Sequence, residues 1–165
     1  MWIAKISKIL DWWQNWEQYF ENPVQDYINL DKKEIRLINA VKKWSYIRHS
    51  PDHYWPSDSY GYVLLTGFNC QARCSYCYLQ SYFKSPDMVR FVNIEDFLNF
   101  IKNFLDKFFE NYPDKEIIFY DGDYKDSLWY YGLQQNIENI NKITALLQGY
   151  PKAFLEIRTK NLLED

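Results

Sequence analysis

Apolar side chains in the first 50 residues recur at intervals of three and four, the spacing that places them on one face of a helix. They are Ile3, Ile6, Leu10, Trp13 and Trp16, followed by Ile35, Leu37, Ile38, Val41 and Trp44. Pro23 separates the two runs. The pattern predicts a helical N-terminal extension over residues 1–50. The turn-forming residues of HSPDHYWPSDSYG, which begins at His49, predict a linker loop over residues 51–61.

Beyond the linker, short apolar runs alternate with longer amphipathic ones. The apolar runs are typical of buried strands, and they are Tyr62–Thr66, Glu116–Asp121 and Ala153–Thr159. The amphipathic runs predict one helix from Asn93 to just before Pro113, and another from Asp126 or Ser127 to Gly149. This order predicts right-handed βαβ crossovers and a parallel sheet. We therefore predict an α/β domain over residues 62–165.

The predicted strands also indicate where a site would lie, because parallel sheets carry their sites at the carboxyl ends of the strands. NCQARCSYCYLQ follows the first strand, GDYKDS follows the second, and Arg158 to Lys160 ends the third. The connection from Gly67 to Val92 is also much longer than a βα unit needs. We expect these three segments to meet at one edge of the sheet.

Composition and charge narrow the class of protein. The chain has 165 residues, 47% of them apolar, which is typical of a folded domain. It contains no apolar run long enough to span a membrane, and its start does not resemble a secretory signal, so we expect a cytoplasmic protein without a membrane partner. The net charge of −3 argues against tight duplex binding. One basic segment, Lys32 to Arg48, is either a solvated helix face or a small phosphate-facing patch.

All three cysteines of the chain, Cys70, Cys74 and Cys77, lie in the stretch NCQARCSYCYLQ. Four interpretations fit this clustering. The thiols could be buried structural groups on one helix face, or ligands of a zinc ion completed by His49 or His53. Alternatively, Cys74 and Cys77 could form a redox pair, or all three could hold an iron–sulfur cluster with one iron left open.

The spacing Cys-x₃-Cys-x₂-Cys, with Tyr76 just before the last cysteine, resembles the signature of radical S-adenosylmethionine (SAM) enzymes. CQARCSYCYLQSYF, SPDMVRFVNIEDF, GDYKDSL and LEIRTK follow one another in the same order as in the spore photoproduct lyase branch of that superfamily. The resemblance covers roughly residues 62–160. It implies a partial (β/α)₆ TIM-like barrel, truncated here after the third strand and preceded by the helical extension.

The resemblance also implies cofactors and residue roles. Cys70, Cys74 and Cys77 would hold a 4Fe–4S cluster whose open iron binds SAM. One electron, from a donor such as flavodoxin or ferredoxin, would cleave SAM to a 5′-deoxyadenosyl radical that takes hydrogen from the substrate. The other residues that the family motif matches are Tyr76, Gly122, Asp123, Ser127 and Lys160 for SAM binding, and Tyr76 and Tyr78 for radical relay.

Two departures from the family pattern affect the expected function. Spore photoproduct lyases use a further cysteine as hydrogen donor, and this chain has none outside the motif. Asp123 stands where the superfamily has the longer glutamate. We therefore expect a relative acting on another substrate, with nucleic acid kept open through the Lys32–Arg48 segment. The alternative is a non-catalytic interaction protein with a zinc-bound or structural cysteine turn.

Overall fold

The computed structural model of the chain describes residues 20–30, 33–43, 45–50, 59–72, 74–83, 85–128 and 133–160. The strands of these residues are β1 (Phe20–Leu30), β2 (Lys33–Lys42), β3 (Ile47–His49), β4 (Ser59–Leu64), β5 (Gly67–Phe68), β6 (Met88–Phe91), β7 (Glu116–Asp121) and β8 (Ala153–Ile157). The helices are α1 (Leu79–Tyr82), α2 (Ile94–Asn111) and α3 (Leu133–Leu147). The described part of the chain is therefore mixed α/β.

One sheet, sheet I, has the strand order β3-β4-β7-β8. Strand β7 pairs in parallel with β4 on one side and with β8 on the other, while β3 pairs antiparallel with β4. The prediction of three parallel strands joined by helices is confirmed. The partial barrel stays a prediction, because these strands form an open sheet with β3 and β8 at its edges.

Helices α2 and α3 cover sheet I through their apolar faces. Asn93 precedes the first residue of α2, as the sequence predicts, and every third or fourth side chain of that helix is buried. The core they form contains Phe97, Ile101, Leu105, Phe108, Ile117, Phe119, Ile143 and Leu147. The described part of α3 begins at Leu133. Residues 129–132 lie outside the described residues, so the predicted helix start at Asp126 or Ser127 stays a prediction; the Asp126 carboxylate accepts from the Leu128 N–H. None of the helices among the described residues is both long and apolar enough to cross a membrane.

The second sheet, sheet II, has the strand order β1-β2-β6-β5 and corrects the helical prediction for residues 20–42. These residues form an antiparallel pair in which Leu30 lies opposite Lys33. The apolar run at Ile35, Ile38 and Val41 fits a helical period. Leu37 and Ile38, however, are consecutive residues that are both buried in the strand beside β6. Such a run also suits a strand that is covered on both faces. Asp31 and Lys32 offer none of the glycine pairs that mark a tight hairpin. The helical prediction is also wrong at residues 47–49, which form β3, and the linker prediction is wrong at residues 59–61, which belong to β4. Residues 1–19 and 51–58 lie outside the described residues.

An ion pair joins sheet II to the segment that precedes β6. The Arg36 guanidinium donates from Nε and Nη2 to Asp87 Oδ2 over 3.0 and 2.5 Å, and the Arg36 backbone N–H donates to Asp87 Oδ1 over 3.1 Å. Burial raises the pKa of the Asp87 carboxyl, but the hydrogen bonds from Arg36 and Ser85 outweigh burial and hold that pKa below its usual value. Asp87 therefore contributes stability as a carboxylate.

We predict that Asp87→Asn lowers the free energy of unfolding by about 1–3 kcal/mol at pH 7, because the substitution removes a largely buried charge partner of Arg36. The folded-state pKa is depressed, so this contribution is complete above the ordinary value of about 3.9 and is lost as the pH falls through the folded-state value. Denaturant midpoints of both proteins between pH 7 and pH 3 measure it. Asp114→Asn is the control, since the Asp114 side chain is 97% exposed in its pair with Lys152. A destabilisation by Asp87→Asn that does not shrink at low pH would contradict the assignment.

Candidate functional site

A cavity of about 1040 Å³ opens at the carboxyl ends of the parallel strands of sheet I. Its wall contains the three cysteines, the turn Gly122 to Asp126 that follows β7, and the segment Ile157 to Lys160 that ends β8. The three segments that the sequence assigns to one edge therefore line one cavity, which we call the site cavity. Among the predicted site residues, Cys70, Cys74, Cys77, Tyr76, Tyr78, Gly122, Asp123 and Lys160 line it, and Ser127 does not.

Asn69 fixes the start of the cysteine loop. Its φ of 69° lies in the left-handed region, which asparagine tolerates better than most residues. Its buried amide donates to the backbone carbonyls of Ser85 and Asp87 over 2.8 and 2.9 Å, while its side-chain oxygen accepts from the Cys70 N–H. These bonds fix where the loop leaves β5.

The cysteines lie on turns of this loop and not on a helix, since α1 begins only at Leu79. The Cys77 N–H donates to the Cys74 carbonyl over 2.8 Å, and the Ala72 N–H donates to Cys70 Sγ over 3.4 Å. The interpretation of three thiols on one helix face is therefore wrong. None of the three is in a disulfide, and each side chain is partly buried.

No three His, Cys, Asp or Glu side chains among the described residues lie close enough together to hold one ion. A cubane takes each thiolate on a different iron, so its ligands lie farther apart than those of one zinc ion. Burial raises the pKa of the Cys70 thiol, and a bound metal would offset that cost by stabilising the thiolate. His49 packs its ring edge-on against Tyr62 at 5.2 Å, and His53 lies outside the described residues.

Gly122 allows the ends of β7 and β8 to approach each other closely at the edge of the cavity. Its φ is +106°, and a methyl group there would lie 2.5 Å from the Arg158 carbonyl oxygen and 2.7 Å from the Ser127 hydroxyl oxygen. The fully buried Ser127 bonds to Arg158 twice: its N–H donates to the Arg158 carbonyl, and its hydroxyl accepts from the Arg158 N–H. The structure thus gives Gly122 and Ser127 a role in joining the two strand ends.

Asp123 faces the cavity but is already engaged. Its carboxylate forms an ion pair with Arg158, and its backbone carbonyl accepts from the Tyr78 hydroxyl over 2.8 Å. Burial raises the pKa of Asp123 despite the opposing effect of Arg158. Burial likewise raises the pKa of Tyr78, so its phenol stays protonated as the donor to Asp123.

Lys160 and Tyr76 are both exposed and lie side by side in the site. The Lys160 ammonium lies 5.8 Å from the centre of the Tyr76 ring, and Tyr76 is 76% exposed. Asp126 holds this lysine in place, because its carboxylate accepts from the Lys160 N–H over 2.5 Å and from the Thr159 hydroxyl over 2.7 Å.

Sequence reasoning missed two cations of the cavity wall. Lys125 is buried and donates to Asp121 over 2.8 Å, and Asp121 also accepts from Thr66. Arg48, on β3, donates to the phenol oxygen of Tyr124. The sequence signals Lys125 through its place in GDYKDS and Arg48 through the basic segment Lys32–Arg48, but the predicted helix did not place Arg48 at this edge of the sheet.

Comparison of the chain with protein-family models, with curated proteins and with solved structures gives no match in any of the three. The assignment of function therefore depends on the motif and on the geometry of the site cavity.

We predict that Gly122→Ala lowers the free energy of unfolding by about 1–3 kcal/mol from the left-handed backbone alone, with the clash against Arg158 adding to it. Gly149→Ala is the matched control. The nearest atom to a methyl group at Gly149, the Leu146 carbonyl oxygen, is at an ordinary 3.5 Å, so this change should stay within about 1 kcal/mol. Chemical denaturation of the three proteins measures both. Equal stabilities of the two variants would refute the packing role of Gly122.

Proposed function

We propose that the chain is a radical SAM enzyme related to spore photoproduct lyase, with a 4Fe–4S cluster held by Cys70, Cys74 and Cys77. One observation carries the proposal: all three thiols line a single large cavity together with Tyr76, Gly122, Asp123 and Lys160. These are the positions that the family motif matches, and they come from three segments far apart in sequence. A structural cysteine turn would not require the other two segments to be there.

The residues present fit the cluster chemically. Three thiolates can occupy three corners of a cubane and leave the fourth iron open. The cavity adjoins all three cysteines, so a ligand of that iron has room to enter, and about 1040 Å³ exceeds what one small ligand commonly needs. When bound, the cluster would supply the electron for reductive cleavage of SAM.

The chain's own residues would bind and orient SAM. Lys160 offers an ammonium for a carboxylate, and the exposed Tyr76 ring beside it offers a flat surface for an aromatic base. Asp123 can accept from an ammonium only by sharing its carboxylate with Arg158. The Tyr78 hydroxyl donates to the backbone carbonyl of Asp123, so Tyr78 lies next to the proposed SAM site. This position suits a residue that would relay the radical.

The substrate is less constrained by the site. Two members of the Lys32–Arg48 segment are engaged internally: Arg36 binds Asp87, and Lys42 is buried with its ammonium 4.5 Å from the centre of the Phe91 ring. Burial lowers the pKa of Lys42 to about 8. The segment is thus a weaker phosphate-facing patch than its sequence indicates. We keep a cytoplasmic location and a flavodoxin-like or ferredoxin-like electron donor as parts of the proposal.

Anaerobic reconstitution with iron and sulfide tests the proposal directly. We expect a brown protein with about four iron atoms per chain, which produces 5′-deoxyadenosine from SAM under dithionite. Cys74→Ala should lose the cluster, because two thiolates do not hold a cubane in place. The control is Ser75→Ala, which changes the adjacent exposed residue and should load iron like the wild type.

Two outcomes would refute this assignment. A colourless protein that takes up one zinc and no iron would favour the non-catalytic cysteine turn. Full iron loading of Cys74→Ala would show that the ligands are not the ones assigned here.

We predict that Lys160→Gln weakens SAM binding to the reconstituted protein by about tenfold, since it removes a charged donor from the SAM carboxylate. Lys107→Gln removes the same charge from an exposed position on α2 and should leave the affinity unchanged. Equilibrium dialysis with labelled SAM measures both. Equal affinities for the two variants would exclude Lys160 from SAM binding.

A further inference from the structure

The wall of the site cavity carries more positive than negative charge. Its cationic side chains are Arg48, Lys125, Arg158 and Lys160, and its carboxylates are Asp123 and Asp126. The whole chain has a net charge of −3, so this excess is local to the cavity and opposite in sign to the protein. Two further carboxylates, Asp121 and Glu156, lie just outside the wall and pair with its cations.

Two of the four cations are neutralised where they lie. Lys125 pairs with the buried Asp121, and Arg158 pairs with both Asp123 and Glu156. Arg48 and Lys160 make no ion pair with any residue in the described ranges. Asp121, Asp123, Asp126 and Glu156 equal the four cations in number, but Arg48 and Lys160 are the two cations whose side chains lie outside an ion pair among the described residues.

Only one of the two has a ligand under the proposed function. Lys160, beside Tyr76, is assigned to SAM, which leaves Arg48 without an assigned ligand. Strand β3 brings Arg48 to the cavity, because the antiparallel register places it directly opposite Val63, another residue of the cavity wall. Side chains directly opposite each other in such a pair lie on the same face of the sheet.

Tyr124 orients the Arg48 guanidinium without neutralising it. Arg48 donates to the phenol oxygen, and the Tyr124 ring is fixed by edge-on packing against Phe68 at 5.9 Å and by contact with Tyr82. Burial raises the pKa of Tyr124, so the phenol is neutral at physiological pH. The remaining N–H groups of the planar fork have no partner among the described residues and can donate to a ligand in a fixed geometry.

We propose that Arg48 and Tyr124 form a subsite for an oxyanion of the substrate, a phosphate or a carboxylate, separate from the Lys160 and Tyr76 end of the cavity. The substrate of the enzyme is then an anionic molecule bound at the β3 wall. The identification of this anion as the substrate's depends on the function proposed above, whereas the binding of an anion at Arg48 does not.

Titration of the isotope-labelled, iron-free chain with inorganic phosphate, and separately with acetate, tests the subsite. With ionic strength held constant, we expect NMR shift changes that saturate at one anion per chain and include the Arg48 side-chain N–H signals. Tighter binding of phosphate would indicate a phosphate ester as substrate, and tighter binding of acetate a carboxylate. Saturation by neither anion would overturn the proposal.

Substitutions locate the anion. Arg48→Gln should weaken binding about tenfold or more, and Arg48→Lys should weaken it less, because charge is kept while the planar fork is lost. Lys107→Gln is the charge-matched control and should bind like the wild type, with the fold of each variant checked by its NMR spectrum. Equal losses in Arg48→Gln and Lys107→Gln would overturn the subsite. Because these titrations contain no iron, their failure is distinguishable from a failure of cluster assembly.

Discussion

Parallel pairing of β4, β7 and β8 is the constraint on which the site depends. Strands that run in the same direction end at the same edge, so the segments that follow them must lie side by side. The register pairs Asp121 with Ile157, which brings the next residues, Gly122 and Arg158, into direct contact. The absence of a side chain at Gly122 is what allows that approach. The cysteine loop, the Gly122 turn and Lys160 then surround one cavity.

Buried polar groups hold these segments after the strands have placed them. Asp126 is 5% exposed, and its carboxylate accepts from Leu128, Thr159 and Lys160, while Lys125 pairs with Asp121. Such charges destabilise a fold when one partner is missing, but a fully bonded network gives a single rigid arrangement. These carboxylates therefore hold the polypeptide segments of the site in place. The groups proposed to bind SAM, Tyr76 and Lys160, are exposed beside them.

The sequence predicted sheet I and its helices because their apolar periods are unambiguous, and the same reasoning placed the cysteines and Lys160 at one edge. It failed for β1 and β2, where a dense apolar run fits both periods and pairing with β6 decides the outcome. That error hid Arg48, whose position depends on a three-residue strand too short to carry any periodicity. Ser127 was assigned to SAM binding by motif position alone, and only side-chain contacts separate a residue that joins two strands from one that binds a ligand.

The proposed enzyme and the alternative cysteine turn differ in what they would need from the charges around the cysteines. A cysteine turn that only stabilises the fold needs no cavity and no unmatched cation near it. Here two cations lie in one cavity, each beside a tyrosine: Lys160 near the Tyr76 ring, and Arg48 bonded to Tyr124. Neither side chain is in an ion pair among the described residues, although Arg48 acts on the nearby Asp123 carboxylate and the Asp126 carboxylate accepts from the Lys160 backbone N–H. Under the proposed function, Lys160 would bind the carboxylate of SAM and Arg48 an oxyanion of the substrate, which would place both reactants next to the three thiols.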